Sequence, residues 1–266
     1  MSCSRRDFLK NTFKTSLATA LPLSAFKMLS PAEVKAYTGD PATRWVFLVD
    51  TQKCVGCGLC VKACKLENEV PYDPPVTRTW VERYVILKNG QTHIETPLGG
   101  NALIESPFGG RDGYIDSKID GKNIPPDQIA KGFFVPKLCN QCDKPACVQV
   151  CPVGATYRTL DGVVLVDRKW CIGCGYCIMA CPYGMRFFHP VYKVAEKCTF
   201  CYHRITKGMK TACVQACPFE ARQIGNLKDP NDPVTKIIMN ERVSVLKDEY
   251  GTKPQVYYIG LDTNVR

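Results

Sequence analysis

Sixteen of the seventeen cysteines fall into four regularly spaced groups, and this pattern limits what the chain can fold into more than any other feature. The groups, in chain order, are Cys54, Cys57, Cys60 and Cys64; Cys139, Cys142, Cys147 and Cys151; Cys171, Cys174, Cys177 and Cys181; and Cys198, Cys201, Cys213 and Cys217. A proline follows the last cysteine of every group except the first, where Lys65 stands instead. In two-cluster ferredoxins, a run of this spacing binds one [4Fe–4S] cluster with three cysteines, and its fourth cysteine ligates the other cluster. The spacing therefore predicts four [4Fe–4S] clusters, with these sixteen cysteines as the iron ligands.

Other uses of clustered cysteines fit this spacing less well. Zinc prefers two separated cysteine pairs joined by a long spacer, and cysteines three apart in a turn would form disulfides of poor geometry. Haem c attachment requires Cys-x-x-Cys-His, but Tyr202 follows Cys201. No Gly-x-Gly-x-x-Gly opens a helix, so no flavin or nicotinamide site is predicted. Cys3, the seventeenth cysteine, has no assigned role.

Internal repeats and local patterns indicate the fold. The first group resembles the third, and the second resembles the fourth, which implies two ferredoxin-like units. Apolar runs at 45–49 and 163–166 predict strands before the first and third groups, and short helices are expected at 61–66 and 178–182. We expect the fourth cysteine of each group at the start of a helix, where proline is tolerated. Small residues in the loops are expected to let backbone N–H groups approach the clusters, namely Gly56, Gly58, Gly173 and Gly175.

The predicted fold class is α+β, with two ferredoxin-like two-cluster [4Fe–4S] domains in tandem, an inserted β-hairpin and loop region, and a C-terminal tail. The hairpin is predicted from 80–87 and 91–95 around the Asn89-Gly90 turn, and 99–113 is a Gly-rich loop. A last strand is predicted at 255–260. The predicted divisions are a signal region at 1–36, a first domain formed by 44–70 with 186–227, an insertion at 71–130, a second domain at 131–185 and a tail at 228–266.

The N-terminus carries an export signal. Residues 4–10 match the twin-arginine motif around Arg5 and Arg6, and small residues at 34–36 offer a cleavage site. The apolar stretch at 15–26 is shorter than the roughly 20 residues that span a bilayer. Twin-arginine export carries folded proteins, which suits a protein loaded with clusters where thiols are reduced. The sequence therefore predicts a periplasmic protein, peripherally associated with the membrane through partner proteins.

The formal net charge of +10 is better explained by the clusters than by nucleic acid. Each oxidised cluster with its four thiolates carries about −2, so four clusters contribute about −8. The excess of Lys and Arg therefore mostly compensates buried cluster charge, and no nucleic-acid partner is predicted.

Taken in this order, the four cysteine groups resemble those of the four-cluster iron–sulfur subunits of molybdopterin oxidoreductase complexes, such as the dimethyl sulfoxide and polysulfide reductase families. The resemblance covers about residues 44–225. Members with a 3Fe cluster lose one cysteine of the third group, whereas all four are present here. Some relatives also carry a C-terminal membrane anchor, and this sequence is expected not to belong to those branches.

The resemblance further implies a nested pairing of the groups, first with fourth and second with third. The implied ligand sets are Cys54, Cys57, Cys60 and Cys217; Cys198, Cys201, Cys213 and Cys64; Cys139, Cys142, Cys147 and Cys181; and Cys171, Cys174, Cys177 and Cys151. Sequence alone equally allows sequential pairing, first with second and third with fourth.

No catalytic constellation is visible, so the chain is expected to act as the electron-transfer subunit of an oxidoreductase complex in anaerobic respiration. The resemblance implies a membrane quinone-interacting partner and a molybdopterin catalytic subunit or multihaem cytochrome. A stand-alone soluble polyferredoxin shuttle is the alternative, although such shuttles are usually smaller and acidic. Aromatic residues near the clusters are expected to exclude water, namely Trp170, Tyr176, Tyr183, Phe187 and Phe188. The three histidines are expected to be surface or core residues rather than ligands.

Overall fold

The computed structural model describes residues 38–72, 76–95, 118–119 and 122–265. The predicted signal region and the Gly-rich stretch at 99–113 lie outside these residues. Small sheets and short helices alternate along the described chain, so the predicted α+β class is confirmed. The strands are β1 (Trp45–Asp50), β2 (Thr79–Leu87), β3 (Thr92–Glu95), β4 (Lys118–Ile119), β5 (Lys122–Asn123), β6 (Ile129–Leu138), β7 (Thr156–Arg158), β8 (Val164–Val166), β9 (Phe187–Phe188), β10 (Ala195–Glu196), β11 (Arg222–Asn226), β12 (Val243–Ser244) and β13 (Val256–Ile259).

The helices are short, and most of them accompany a cysteine group. They are α1 (Leu59–Glu67), α2 (Ala146–Gln149), α3 (Tyr176–Met179), α4 (Tyr202–Ile205), α5 (Ala212–Gln215) and α6 (Pro233–Asn240). In the described ranges, no helix combines the length and the apolar character needed to cross a membrane.

The largest sheet has four strands in the order β11-β1-β13-β12. Strand β1 runs antiparallel to β11 and parallel to β13, and its apolar run is buried on both faces, as a central strand requires. Val46 and Leu48 pack against α6 on one face, while Phe47 and Val49 join the main core with several cysteines on the other. The alternation of β1 thus separates a peripheral layer from the layer that contains the cysteines.

The predicted hairpin forms as β2 and β3, and Gly90 adopts φ 85° at its turn. The third strand of this sheet, β6, was not predicted. It pairs with β2 from Thr79–Leu138 to Leu87–Ile129, with a register shift at Ile86 and Leu87. Because β6 ends directly before Cys139, it joins the predicted insertion to the second cysteine group without a break.

The helix predicted at 61–66 forms within α1, whereas the one predicted at 178–182 forms two residues earlier, as α3. Helix α1 begins at Leu59 and α3 at Tyr176, each directly after a glycine in the left-handed conformation, Gly58 at φ 69° and Gly175 at φ 80°. These glycines turn the chain before the third cysteine, so the third cysteine lies in the first helical turn. The prediction that the fourth cysteine starts a helix is therefore wrong: Cys64 lies within α1, and Cys181 lies two residues beyond α3.

The C-terminal segment contributes more to the fold than the single strand predicted there, which forms as β13. Helix α6 begins after Asp232, whose side chain accepts hydrogen bonds from the backbone N–H groups of Val234 and Thr235, and Pro233 occupies the first turn. Both features favour a helix start. Strand β13 pairs with β1, β12 pairs with β13, and α6 packs against one face of β1. This segment therefore completes the central sheet.

Candidate metal centres

The first cavity in the cysteine layer is lined by Cys64 from α1 together with three cysteines of the fourth group, Cys198, Cys201 and Cys213. The side-chain amide of Asn68 links the two ends of the chain here, since its Nδ2 lies 3.6 Å from Cys64 Sγ and 3.9 Å from Cys201 Sγ. We call this set the fourth-group site. It is the arrangement that nested pairing requires, and all four of its cysteines are buried.

A second cavity, the second-group site, is lined by Cys181 together with Cys139, Cys142 and Cys147. Arg186 donates a hydrogen bond from Nη2 to Cys147 Sγ at 3.0 Å. Tyr183 also lines this cavity, and its hydroxyl lies 2.5 Å from Thr252 Oγ1. Cys181 of the third group therefore lies with the second group, as nested pairing requires.

The other two sets are closer to the surface. In the first-group site, Cys54 lies among Cys57, Cys217 and Arg222 as its electrostatic neighbours, and burial raises its pKa. The third-group site contains Cys171, Cys174 and Cys177, and its helix α3 packs on α2, which precedes Cys151. Among the sixteen cysteines, all of which the structure describes, Cys174 is the exposed one.

Local backbone geometry aims N–H groups at the sulfurs. Hydrogen bonds run from Phe200 N to Cys198 Sγ, from Thr156 N to Cys151 Sγ and from Ala195 N to Cys171 Sγ, each at 3.4 Å. The glycines predicted to shape the first and third loops, Gly56, Gly58, Gly173 and Gly175, all have positive φ. A Cβ at Gly56 would come within 2.4 Å of the Phe134 ring, so no other residue fits that turn unchanged.

Burial strongly affects the thiols. It raises the pKa of Cys60 and of Cys198 to about 12, and it raises the pKa of Cys64 well above its ordinary value. Iron binds thiolate rather than thiol, so a cluster in these sites must supply positive charge that offsets the desolvation of the sulfurs.

Buried guanidinium groups add to this compensation. Burial alone would lower the pKa of Arg222, but the neighbouring Cys60 and Cys213 outweigh burial and raise it. The same balance raises the pKa of Arg186, beside Cys147. The sequence predicts that the excess of Lys and Arg compensates cluster charge, and these two arginines are buried cations beside the cysteines, although their positions were not predicted.

The polar side chains around the cysteines fit an iron–sulfur cluster. In the described part of the chain, the buried atoms without a hydrogen-bond partner include Arg78 Nε, the Asn140 amide and Arg222 Nη2. Arg78 lines the fourth-group cavity and Asn140 lines the second-group cavity, while Arg222 lies beside Cys54 and Cys60. Buried polar groups rarely lack partners, and the sulfurs of a cluster would accept the N–H groups left over here.

Across the described residues, no three His, Cys, Asp or Glu side chains are close enough to hold one ion. Four cysteines spread around a cavity instead suit a cubane, whose irons stand at separate corners. His189 is buried, and the exposed His203 contacts Glu67 through Nε2 at 2.6 Å.

Of the five aromatic residues predicted to exclude water, Tyr183 lines the second-group cavity and Phe187 is half-buried. Trp170, Tyr176 and Phe188 are 48%, 53% and 46% exposed. With the exposed Ile172 and Met179, they form what we call the apolar rim around Cys174. These side chains flank the loop and helix α3 of the third group, in which Cys174 is exposed and Cys177 is buried.

Comparison with known proteins adds the family. A family model described as a 4Fe-4S dicluster domain matches residues 130–227, and one described as a 4Fe-4S binding domain matches residues 45–66. A tetrathionate reductase subunit from Salmonella typhimurium is 36% identical over 265 residues, covering 98% of this chain and 90% of the relative. The chain belongs to this family of ferredoxin-like iron–sulfur subunits.

Other members of the family are similar over most of their length. The corresponding tetrathionate reductase subunit from Archaeoglobus fulgidus is 41% identical over 227 residues, covering 85% of this chain and 86% of the relative. Protein NrfC of Escherichia coli is 35% identical over 261 residues, covering 97% and 96%. The predicted resemblance is confirmed, and this family member is an iron–sulfur electron-transfer protein with four [4Fe–4S] clusters.

Proposed function

We propose that this chain relays single electrons through four clusters between a membrane quinone- or cytochrome-linked subunit and a catalytic or haem subunit of a respiratory reductase. Several relatives are named as subunits of tetrathionate or selenate reductases, which supports a role within such a complex. When bound, the clusters supply the one-electron chemistry, and the chain holds them, shields them and sets their surroundings.

The observation that carries this proposal is that neighbouring sites adjoin in an unbroken series. The links are Cys60 of the first-group site with Cys213 of the fourth-group site, Cys198 with Cys139 of the second-group site, and Arg186 with both Cys147 and Cys177. These electrostatic neighbours support a path in the order first, fourth, second, third. A path of this kind suits a relay between two partners.

The proposed ligand sets are the nested ones. Cys64 belongs with the fourth group, Cys217 with the first, Cys181 with the second and Cys151 with the third. Two shared cavities and the Asn68 hydrogen bonds support the sets that include Cys64 and Cys181. These sets make two domains in tandem, the first built from both ends of the cysteine region and the second from its middle.

At the third-group end, we propose that the apolar rim docks a partner subunit. Exposed apolar surface beside a functional group is typical of an interaction site, and Cys174, which lies between Ile172 and Tyr176 in the chain, is exposed. Membrane contact then occurs through partners.

The site of action is proposed to be the periplasm, reached by the twin-arginine route. The motif at 4–10 supports this, as does the need to load clusters before export. Changing Arg5 and Arg6 to Lys should retain the protein in the cytoplasm with its clusters intact. Normal appearance of that variant in the periplasm would contradict the proposed route.

Replacement of Cys64 by Ser tests the relay and its ligand sets together. The anaerobically prepared wild-type protein should contain about sixteen irons, four per cluster. In the Cys64→Ser variant, electron paramagnetic resonance should show loss or conversion of one cluster, while iron analysis finds the other three retained.

The affected cluster is identified by comparison with the variants Cys213→Ser and Cys147→Ser. Nested pairing predicts that Cys64→Ser and Cys213→Ser alter the same signal. If Cys64→Ser instead alters the signal that Cys147→Ser alters, the pairing is sequential. Eight or fewer irons in fully loaded wild-type protein would contradict four clusters.

A further inference from the structure

Asn68 directly follows helix α1, between that helix and the fourth-group cavity. Its side chain is buried at 8% exposure and lines the fourth-group cavity. The amide nitrogen donates to the carbonyl of Cys64 at 2.9 Å and lies 3.6 Å from Cys64 Sγ and 3.9 Å from Cys201 Sγ. One N–H₂ group therefore faces two cysteines that come from distant parts of the chain.

The orientation of this amide is fixed by a neighbouring cation. Arg78 Nη1 donates to Asn68 Oδ1 at 2.6 Å. Because a guanidinium group has donors and no acceptor, it holds the amide oxygen toward itself. The amide nitrogen must then face the sulfurs, and a flipped amide would place two donors against each other.

Arg78 is itself held in place. Its Nη2 lies 3.0 Å from Glu196 Oε2, and both side chains are buried. Arg168 donates to the same carboxylate oxygen at 2.7 Å. Glu196 thus holds Arg78 in place, Arg78 orients the Asn68 amide, and the amide nitrogen faces the two sulfurs.

We propose that Asn68 raises the reduction potential of the cluster in the fourth-group site, and that Arg78 is the positioning residue that keeps its amide aimed at the sulfurs. Reduction adds one electron, breaks no bond and moves no proton, so the sulfurs gain negative charge. A donor N–H stabilises that added charge more than it stabilises the oxidised state, and hydrogen bonds to the sulfurs are among the determinants of cluster potential. The inference rests on the proposed ligand set that joins Cys64 to the fourth group.

The test is a redox titration of the holoprotein, followed by electron paramagnetic resonance. In Asn68→Leu, the reduced-to-oxidised ratio of one cluster at a given potential should fall about tenfold, which is 59 mV for a one-electron couple. The signal that shifts should be the one altered by Cys64→Ser. The other three potentials and the iron content should match those of the wild type.

Asn240 offers a matched control. Its side-chain amide also donates to the carbonyl four residues earlier, at Lys236, near the end of α6. Asn240→Leu thus removes the same kind of helix-terminal hydrogen bond at an exposed position, outside the cysteine layer. It should leave all four potentials unchanged, which separates loss of the sulfur contact from loss of a helix cap.

Arg78→Lys keeps the positive charge but not the fixed fork that orients the amide. It should lower the same potential by less than Asn68→Leu does, and it keeps the test decisive if Asn68→Leu fails to retain the cluster. Unchanged potentials in Arg78→Lys, or in an Asn68→Leu protein that keeps its iron, would overturn the inference. Failure of the proposed function looks different, because the wild type would then hold fewer than four clusters or Cys64→Ser would alter the second-group signal.

Discussion

The fourth-group and third-group sites use the same ligand chemistry in opposite surroundings. At the fourth-group site, Phe200 is 1% exposed, and its ring lies 5.4 Å from that of Phe47 in the main core. At the third-group site, Cys174 is exposed, and the apolar rim residue Met179 is 75% exposed. The contrast suggests different tasks: an interior site passes electrons within the chain, and a surface site exchanges them with a partner.

The largest expected effect comes from opening the interior site. Phe200→Ala should lower the free energy of unfolding by about 3–5 kcal/mol, because it leaves a cavity beside Phe47 in a closely packed core. Tyr176→Ala, at the surface of the third-group site, should change it by no more than about 0.5 kcal/mol. Thermal loss of the visible cluster absorbance compares the two variants. An equal loss of stability in the two variants would contradict the contrast between an interior site and a surface site.

A charge in the apolar rim should have an intermediate effect, on association rather than stability. Met179→Glu should weaken binding of the partner subunit about 30-fold, since central interface residues contribute about 2 kcal/mol or more. The iron content should not change. The measurement is the amount of the partner subunit that copurifies with the tagged chain.

Met239 provides the control for that variant. It is 76% exposed on α6, so Met239→Glu places the same charge at a position of equal exposure outside the rim. Copurification should be retained. A similar loss in both variants would mean that the rim is not the docking surface.

The smallest expected effect concerns two helices of the same sequence. Thr211 caps α5 by accepting a hydrogen bond from Val214 N, whereas α2 begins after Pro145, which offers no such bond. Thr211→Ala should therefore cost about 1 kcal/mol of stability, and Pro145→Ala should cost less. Thermal denaturation of both variants measures the difference, and a larger loss in Pro145→Ala would contradict this account.

Features set by local chemistry could be predicted from the sequence. The turn at Gly90 and the strand at β1 follow from residue type and apolar runs, and they appear where expected. Helix α6 lies in a polar stretch of sequence. Its apolar side chains could not be assigned a partner from the sequence, because they pack against β1, which is far away along the chain. Asn68 and Arg78 gave no local signal, because their roles depend on a cysteine more than 100 residues away.

The proposed nested pairing also sets an order for the assembly of the protein. Cys217 lies beside Cys54, and β1 pairs with β13 as far as Ile259. In a chain emerging from the ribosome, the first cysteines are therefore exposed long before Cys217 has been synthesised. Iron delivered at that stage would meet three of the four thiols of the first-group site and an unfinished sheet. Under the proposed pairing, the first-group site is complete only once Cys217 has been made, whereas the second-group and third-group sites have all their cysteines by residue 181.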